Sequence, residues 1–273
     1  MTRQSLAVSA VFVLASSVLS AQTDVTPNLS GGVGSFYTDR YNPASFAVNP
    51  GIVQGRNNVL QIAINSSTNA SNRPTGQQSN FYNTQGKKLD VNQTGSWKFQ
   101  SDLFIESGWN TTSTLVRTDM WATQCNGLCI PNSEANVTDY PIIGFTNEAG
   151  AARFRGWDRA VGWRDFTSTV NFGAWNTLMM SFDAADNTFS YWVNGNMTYT
   201  FGGNGVSTVV GNVMYQARNF NGLGQDISNG GDYTANWSNT SNVVPEPSTY
   251  ALMATGLIGL VGIGSRRRKN MPV

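Results

Sequence analysis

From Trp175 to Phe201 apolar and polar residues alternate with a period of two, and this constrains the fold more than any other feature of the chain. Leu178, Met180 and Phe182 fall on one side of a strand, and Phe189, Tyr191 and Val193 on one side of the next. The polar run Asp183 to Asn187 separates the two. Asn194-Gly195 then supplies the residues that tolerate positive φ in a type I′ hairpin, after which Met197, Tyr199 and Phe201 continue on a third strand. The segment predicts a three-strand antiparallel meander.

The same period recurs elsewhere. Leu60, Ile62 and Ile64 alternate with Gln61 and Ala63, and Trp97, Phe99, Leu103 and Ile105 share a face opposite Lys98, Gln100 and Asp102. No stretch between residues 22 and 243 sustains a 3.6-residue pattern, so many short strands joined by Gly and Asn turns imply a β-sandwich or barrel. That length suits one all-β domain. The order Gly-x-Trp-x-x-Leu, strand, polar turn, aromatic-x-Val-Asn-Gly over Gly173 to Gly195 resembles the laminin-G and concanavalin-like lectin/glucanase jelly roll. The resemblance implies an all-β jelly-roll sandwich.

Both ends carry hydrophobic segments. Arg3 precedes an apolar run from Leu6 to Leu19, and small residues at Ser20 and Ala21 follow, as in a secretory signal peptide over residues 1–21. Residues 244–273 hold Pro245-Glu246-Pro247, an uncharged run over 250–264, and the basic end Arg266-Arg267-Arg268-Lys269. The prolines lack backbone donors and force an extended, exposed stretch suited to a processing enzyme. The run is shorter than the usual span of about 20 residues, and snorkelling of the basic side chains extends its reach as a short transmembrane helix. Basic residues flank the two segments on their outer sides, which puts the intervening chain across the membrane.

This tail resembles the sorting tail of PEP-CTERM proteins. The resemblance implies an exosortase-like processing enzyme as partner, transient anchoring in the inner membrane of a Gram-negative bacterium, and final placement at the cell surface or outside the cell. It also implies association with exopolysaccharide and biofilm formation.

Without the ends, the body keeps 12 basic and 15 acidic residues, since Arg3, Arg266, Arg267, Arg268, Lys269 and Glu246 leave with them. A net charge of about −3 offers no case for nucleic-acid binding. The only cysteines, Cys125 and Cys129, are expected to form a local disulfide in an oxidising compartment. Their spacing is neither a redox C-x-x-C nor, with no histidine in the chain, a zinc site.

The absence of histidine also excludes a Ser-His-Asp or Cys-His nucleophile. The jelly-roll resemblance implies, for its glycosidases, a strand with Glu-x-Asp-x-x-Glu, and no glutamate of the body has that neighbourhood. For lyases of similar fold it implies Arg, Gln, His and Tyr together, and the histidine is lacking. Asp158 and Asp165 are the carboxylate pair to examine, beside the plainer reading as strand-edge or turn residues. The expectation is a protein that is not an enzyme.

A binding site is the open alternative. Arg153 to Phe166 interleaves arginines with aromatics, and Trp157, Asp158 and Trp163 would suit a sugar-binding surface; inward aromatics alternating with outward charges would produce the same composition. Trp192 falls on the face opposite Phe189, Tyr191 and Val193, where an exposed indole would be informative. Asp183, Asp186 and Asn187 gather oxygen ligands that could hold calcium, though they are also ordinary hairpin residues. No other cofactor is expected. Three roles follow: a non-enzymatic surface or matrix protein, a lectin-like module, or a secreted glycan hydrolase or lyase.

Overall fold

The computed structural model describes residues 22–40, 42–65, 84–130, 133, 135–148, 150–218 and 232–239, all within a compact unit Gln22–Val244. The signal segment, Pro245-Glu246-Pro247, the apolar run after it and Arg266 to Lys269 lie outside the described residues. Among the described residues no helix is long and apolar enough to cross a membrane.

Sixteen strands are formed by these residues: β1 Thr23–Asp24, β2 Tyr37–Thr38, β3 Ser45–Asn49, β4 Val59–Ile64, β5 Thr84–Thr94, β6 Trp97–Ile105, β7 Arg117–Cys125, β8 Val137–Asp139, β9 Ile142–Thr146, β10 Arg153–Asp158, β11 Gly162–Asp165, β12 Ala174–Asp183, β13 Thr188–Val193, β14 Asn196–Gly202, β15 Val209–Arg218 and β16 Tyr233–Ser238. They build two eight-stranded sheets. The first runs β14-β13-β12-β6-β16-β4-β3, with β1 also on β6; the second runs β11-β10-β9-β7-β15-β5-β2, with β8 on β7. Strand β1 pairs with Trp97 and Lys98 while β16 takes Asp102 to Phe104, so the two share one edge of β6. The protein is an all-β sandwich, as the alternation predicts.

The expected meander is β12-β13-β14, paired antiparallel in order. Its second turn has Asn194 at φ 51° and Gly195 at φ 79°, the left-handed pair that a type I′ hairpin needs. Leu178, Met180, Phe182, Phe189, Tyr191, Val193 and Phe201 are buried in one core with Trp97, Phe99, Leu103 and Ile105. Met120, Ala122, Ile143, Phe145, Phe154, Val213 and Tyr215 of the second sheet complete it. Burial of such apolar area, at about 25 cal/mol per Å², is the main force holding the sheets together.

Large aromatic side chains that reach the opposite sheet end on polar partners there, because a buried N–H or O–H needs one. Trp97 Nε1 donates to Gln124 Oε1 at 2.9 Å, and Trp237 Nε1 donates to Thr118 Oγ1 at 3.0 Å. The Tyr233 hydroxyl lies 2.9 Å from the Arg117 carbonyl and 2.5 Å from the Arg218 carbonyl, and accepts the Arg218 N–H at 3.0 Å. These contacts fix the height and register of β7 and β15, the two central strands of the second sheet.

The disulfide between Cys125 and Cys129 forms as expected, with a Cα–Cα distance of 5.4 Å. It packs over Gly211, at the point where β15 shifts register against β7 and β5. A Cβ at Gly211 would lie 2.3 Å from Cys129 Sγ, so the bulge, the glycine and the disulfide form one local unit.

Candidate functional site

All nine residues of β7 are buried, on both faces of the strand. Met120 and Ala122 join the main core, and Thr118 and Gln124 receive the two indoles from the first sheet. Arg117, Asp119 and Trp121 alternate with these and so stand on the outer face of the second sheet. There Trp121 packs with Ile142, Met214, Trp157 and Trp163 in a cluster separate from the main core.

Strand register arranges this face in rows. One row crosses Trp163, Trp157, Ile142, Trp121 and Met214, ending at Lys88 and Tyr37. The next crosses Asp165, Arg155, Gly144, Asp119, Gln216 and Gly86. The third brings Arg153, Thr146 and Arg117 together. An aromatic row therefore runs alongside a charged one.

Glycines give the polar row its shape. A Cβ on Gly144 would sit 2.3 Å from Asp119 Oδ1, so the carboxylate leans across the glycine toward β10. A Cβ on Gly86 would sit 2.8 Å from Gln216 Cγ and 2.2 Å from the Tyr215 carbonyl. Gln216 Nε2 donates to Asp39 Oδ2 at 2.9 Å, and Lys88 Nζ is 3.4 Å from the other oxygen of Asp39.

The charges are buried and incompletely paired. Asp119 Oδ2 accepts from Arg117 Nε at 2.8 Å, while Oδ1 has no hydrogen-bond partner among the described residues. Trp121 Nε1 and the Nε and Nη2 of Arg155 are likewise without one. Glu148 Oε2 stands 3.8 Å from Arg155 Nη2 and 3.9 Å from Arg218 Nη1, within ion-pair range but beyond a hydrogen bond. Burial pushes the Glu148 carboxyl up, and the charges of Arg117 and Arg155 offset this only in part. Burial lowers the Arg155 guanidinium to about 10, helped by the charge of Arg117. Both of those guanidinium groups press on one indole: their carbons lie 4.5 Å (Arg117) and 4.1 Å (Arg155) from the Trp163 ring centroid.

The outer face of the second sheet thus sets indoles beside buried polar groups. Indoles offer flat apolar area, and fixed donors and acceptors stand beside them.

The residues singled out in the sequence do not converge on it as a group. Trp157 and Trp163 do, as cross-strand neighbours with ring centroids 5.3 Å apart. Asp158 does not. Its side chain serves the β10–β11 turn, where Oδ1 accepts the Ala160 N–H at 2.8 Å and Oδ2 accepts the Tyr199 hydroxyl at 2.8 Å. Asp165 is on the outer face, bound to Arg153 Nε at 2.8 Å, so alternation puts Asp158 and Asp165 on opposite sides of the sheet and they are not a facing pair. Trp192 belongs to the first sheet, half-buried between Met179 and Met197, so it is remote from Trp157 and Trp163 across the sandwich. In the turn proposed for calcium, Asp183 Oδ1 accepts the Ala185 N–H at 2.9 Å. Asn187, at φ 52°, donates to the Gly203 and Gly205 carbonyls, and Thr188 donates to the Asp186 carbonyl. These are hairpin roles, and no group of three His, Cys, Asp or Glu residues placed to hold a metal occurs among the described residues.

Sequence reading missed Arg117, Asp119, Trp121, Glu148, Gln216 and Arg218. Arg-Thr-Asp-Met-Trp does alternate, but its period does not disclose that the polar side is covered.

Residues 243–269 match the PEP-CTERM protein-sorting motif. The chain is thus targeted to an exosortase as an exported protein with a membrane-anchored precursor. No curated protein matches it. Similar solved structures include an endo-β-1,4-glucuronan lyase from the fungus Trichoderma reesei, at 12% identity over 75% of this chain and 89% of that one, with a TM-score of 0.47. A prokaryotic β-1,3-1,4-glucanase (lichenase) from a mouse hindgut metagenome is 12% identical over 75% and 91%, with a TM-score of 0.43. A sialidase is 7% identical, with a TM-score of 0.41; 74% of this chain is covered, but only 18% of the sialidase.

Proposed function

We propose that this exported, exosortase-targeted chain is a non-enzymatic cell-surface or extracellular-matrix protein, associated with exopolysaccharide and biofilm, whose sandwich binds glycan through the outer face of its second sheet. The sorting motif supports the delivery. One observation carries the binding reading: the Trp157–Trp163 pair lies in a row directly beside Arg155 and Asp119, on strands held in place from below by Tyr191 and Tyr233. Indole faces would take the apolar side of a sugar ring, and the fixed polar groups would take its substituents.

The test is affinity electrophoresis or calorimetry of the chain against a polysaccharide panel, with and without calcium. Saturable binding that falls in Trp163→Ala, with folding retained, is the expected result. No binding across the panel would leave only the delivery half of the proposal.

A second reading, glycan cleavage, is favoured by one feature: Asp119 and Glu148 are both buried among the same arginines. Incubation with the same panel, followed by an assay for new chain ends, separates it from binding alone. Sustained release of chain ends would replace the non-enzymatic reading.

A further inference from the structure

We propose that the ligand of this face is an acidic polysaccharide, and that the Arg155 guanidinium receives the carboxylate of one of its uronic-acid units; the proposal rests on the glycan-binding reading above.

Arg117 Nε donates to Asp119 Oδ2 at 2.8 Å, and Arg153 Nε stands 2.8 Å from Asp165 Oδ2 in a close ion pair. Arg155 has no such contact: its only ion-pair partner among the described residues is Glu148 at 3.8 Å, and that carboxylate also faces Arg218. Arg155 is nevertheless buried to 7% exposure, with Nε and Nη2 both lacking hydrogen-bond partners. Buried donors left without a partner are unfavourable, and more so on a charged group. A second cation, Arg117, shares the same indole and disfavours the charge of Arg155 further. An anion at Arg155 relieves both penalties.

Geometry narrows the anion. Nε and Nη2 form the side fork of a guanidinium, which matches the two oxygens of a carboxylate. The carbon of the same guanidinium lies 4.1 Å from the Trp163 ring centroid, so the indole backs the group. Asp119 Oδ1, leaning over Gly144 from the other side, offers an acceptor for a hydroxyl and repels a second anion. One carboxylate beside a hydroxyl, on a ring that can lie along indoles, describes a uronic-acid unit better than a neutral hexose. On the β11 side the cross-strand neighbour of Arg155 on this face, Asp165, is exposed.

The full chain, purified in detergent, would be titrated with polygalacturonate, polyglucuronate and alginate, and with the carboxyl-reduced, neutral form of each. Binding to at least one polyuronate that weakens about ten-fold or more on carboxyl reduction, and equally in Arg155→Gln, is the expected result. Equal binding to a polyuronate and its reduced form overturns the acidic-ligand proposal while the glycan-binding reading survives. Failure to bind any acidic or neutral form overturns both. An Arg155→Gln protein with unchanged melting temperature and unchanged affinity overturns the assignment to Arg155. If that variant does not fold, the reduced ligands decide the ligand class alone, and Trp163→Phe, which keeps the charge but alters the support of the guanidinium, tests the position.

Discussion

The Tyr191 hydroxyl, rising from β13 of the first sheet, donates to the Trp157 carbonyl on β10 of the second at 2.6 Å and accepts the Ile142 N–H of β9 at 2.9 Å. One phenol thus closes the end of the β9–β10 ladder from inside the core. The indole of Trp157 stands on the far side of that same backbone, so the core and the candidate binding face share a fixed point.

Tyr191→Phe should leave two buried backbone groups without partners. The expected loss is about 1–3 kcal/mol, or several degrees in melting temperature for a domain of this size. Chemical unfolding of the variant measures it; an unchanged midpoint would mean the hydroxyl is not a structural tie.

Gly144→Ala places a methyl group 2.3 Å from both Asp119 Oδ1 and the Thr118 carbonyl. Overpacking of this kind costs about 1–3 kcal/mol. Because Asp119 must move, glycan binding should fall along with stability. Retained affinity in a destabilised protein would remove Asp119 from the binding face.

Reduction of Cys125–Cys129 should cost only about 2 kcal/mol, because the loop it closes is short. The reduced protein is expected to keep its circular dichroism spectrum and melt a few degrees lower. Gly211→Ala should cost more than reduction, since it forces the bulge and Cys129 apart. The reverse order would show that the crosslink, not the packing over Gly211, holds this corner.

Glu148 sets a pH dependence. Burial raises its proton affinity in the folded state, so between its ordinary value of 4.5 and the raised one the folded chain binds more protons than the unfolded chain. Its contribution to stability therefore declines as pH rises through that window. Glu148→Gln removes the slope, and the variant should gain on the wild type as pH increases from 4.5. Unfolding curves over pH 4 to 8 that show the variant losing ground instead would mean the arginines hold the carboxylate ionised.

Deleting residues 245–273 should abolish membrane retention of the precursor and change where the body ends up, read by fractionation of cells and medium. Identical distribution of the truncated and full chains would leave the motif without a sorting role here.

What the sequence determined by itself was local. Alternation assigned Leu178, Met180, Phe182, Phe189, Tyr191 and Val193 to the core, because a strand's side chains change sides at every residue whatever lies around it. Asn194-Gly195 specified its turn because few residues accept positive φ. The two cysteines were close enough to pair, and the tail announced its sorting motif in consecutive residues. The candidate site is of another kind. Asp119, Gly144, Arg155 and Gln216 become neighbours only when β15, β7, β9 and β10 align, and no local signal encodes that register. Asp158 and Trp157 are adjacent in the chain, yet the pleat sends them to opposite faces. Trp192, singled out separately by its place opposite Phe189, Tyr191 and Val193, belongs to the other sheet of the sandwich. Only the tertiary structure decided which polar strand positions were buried, because burial depends on what the opposing strands bring, and it is burial that turns ordinary arginines and carboxylates into incompletely paired charges.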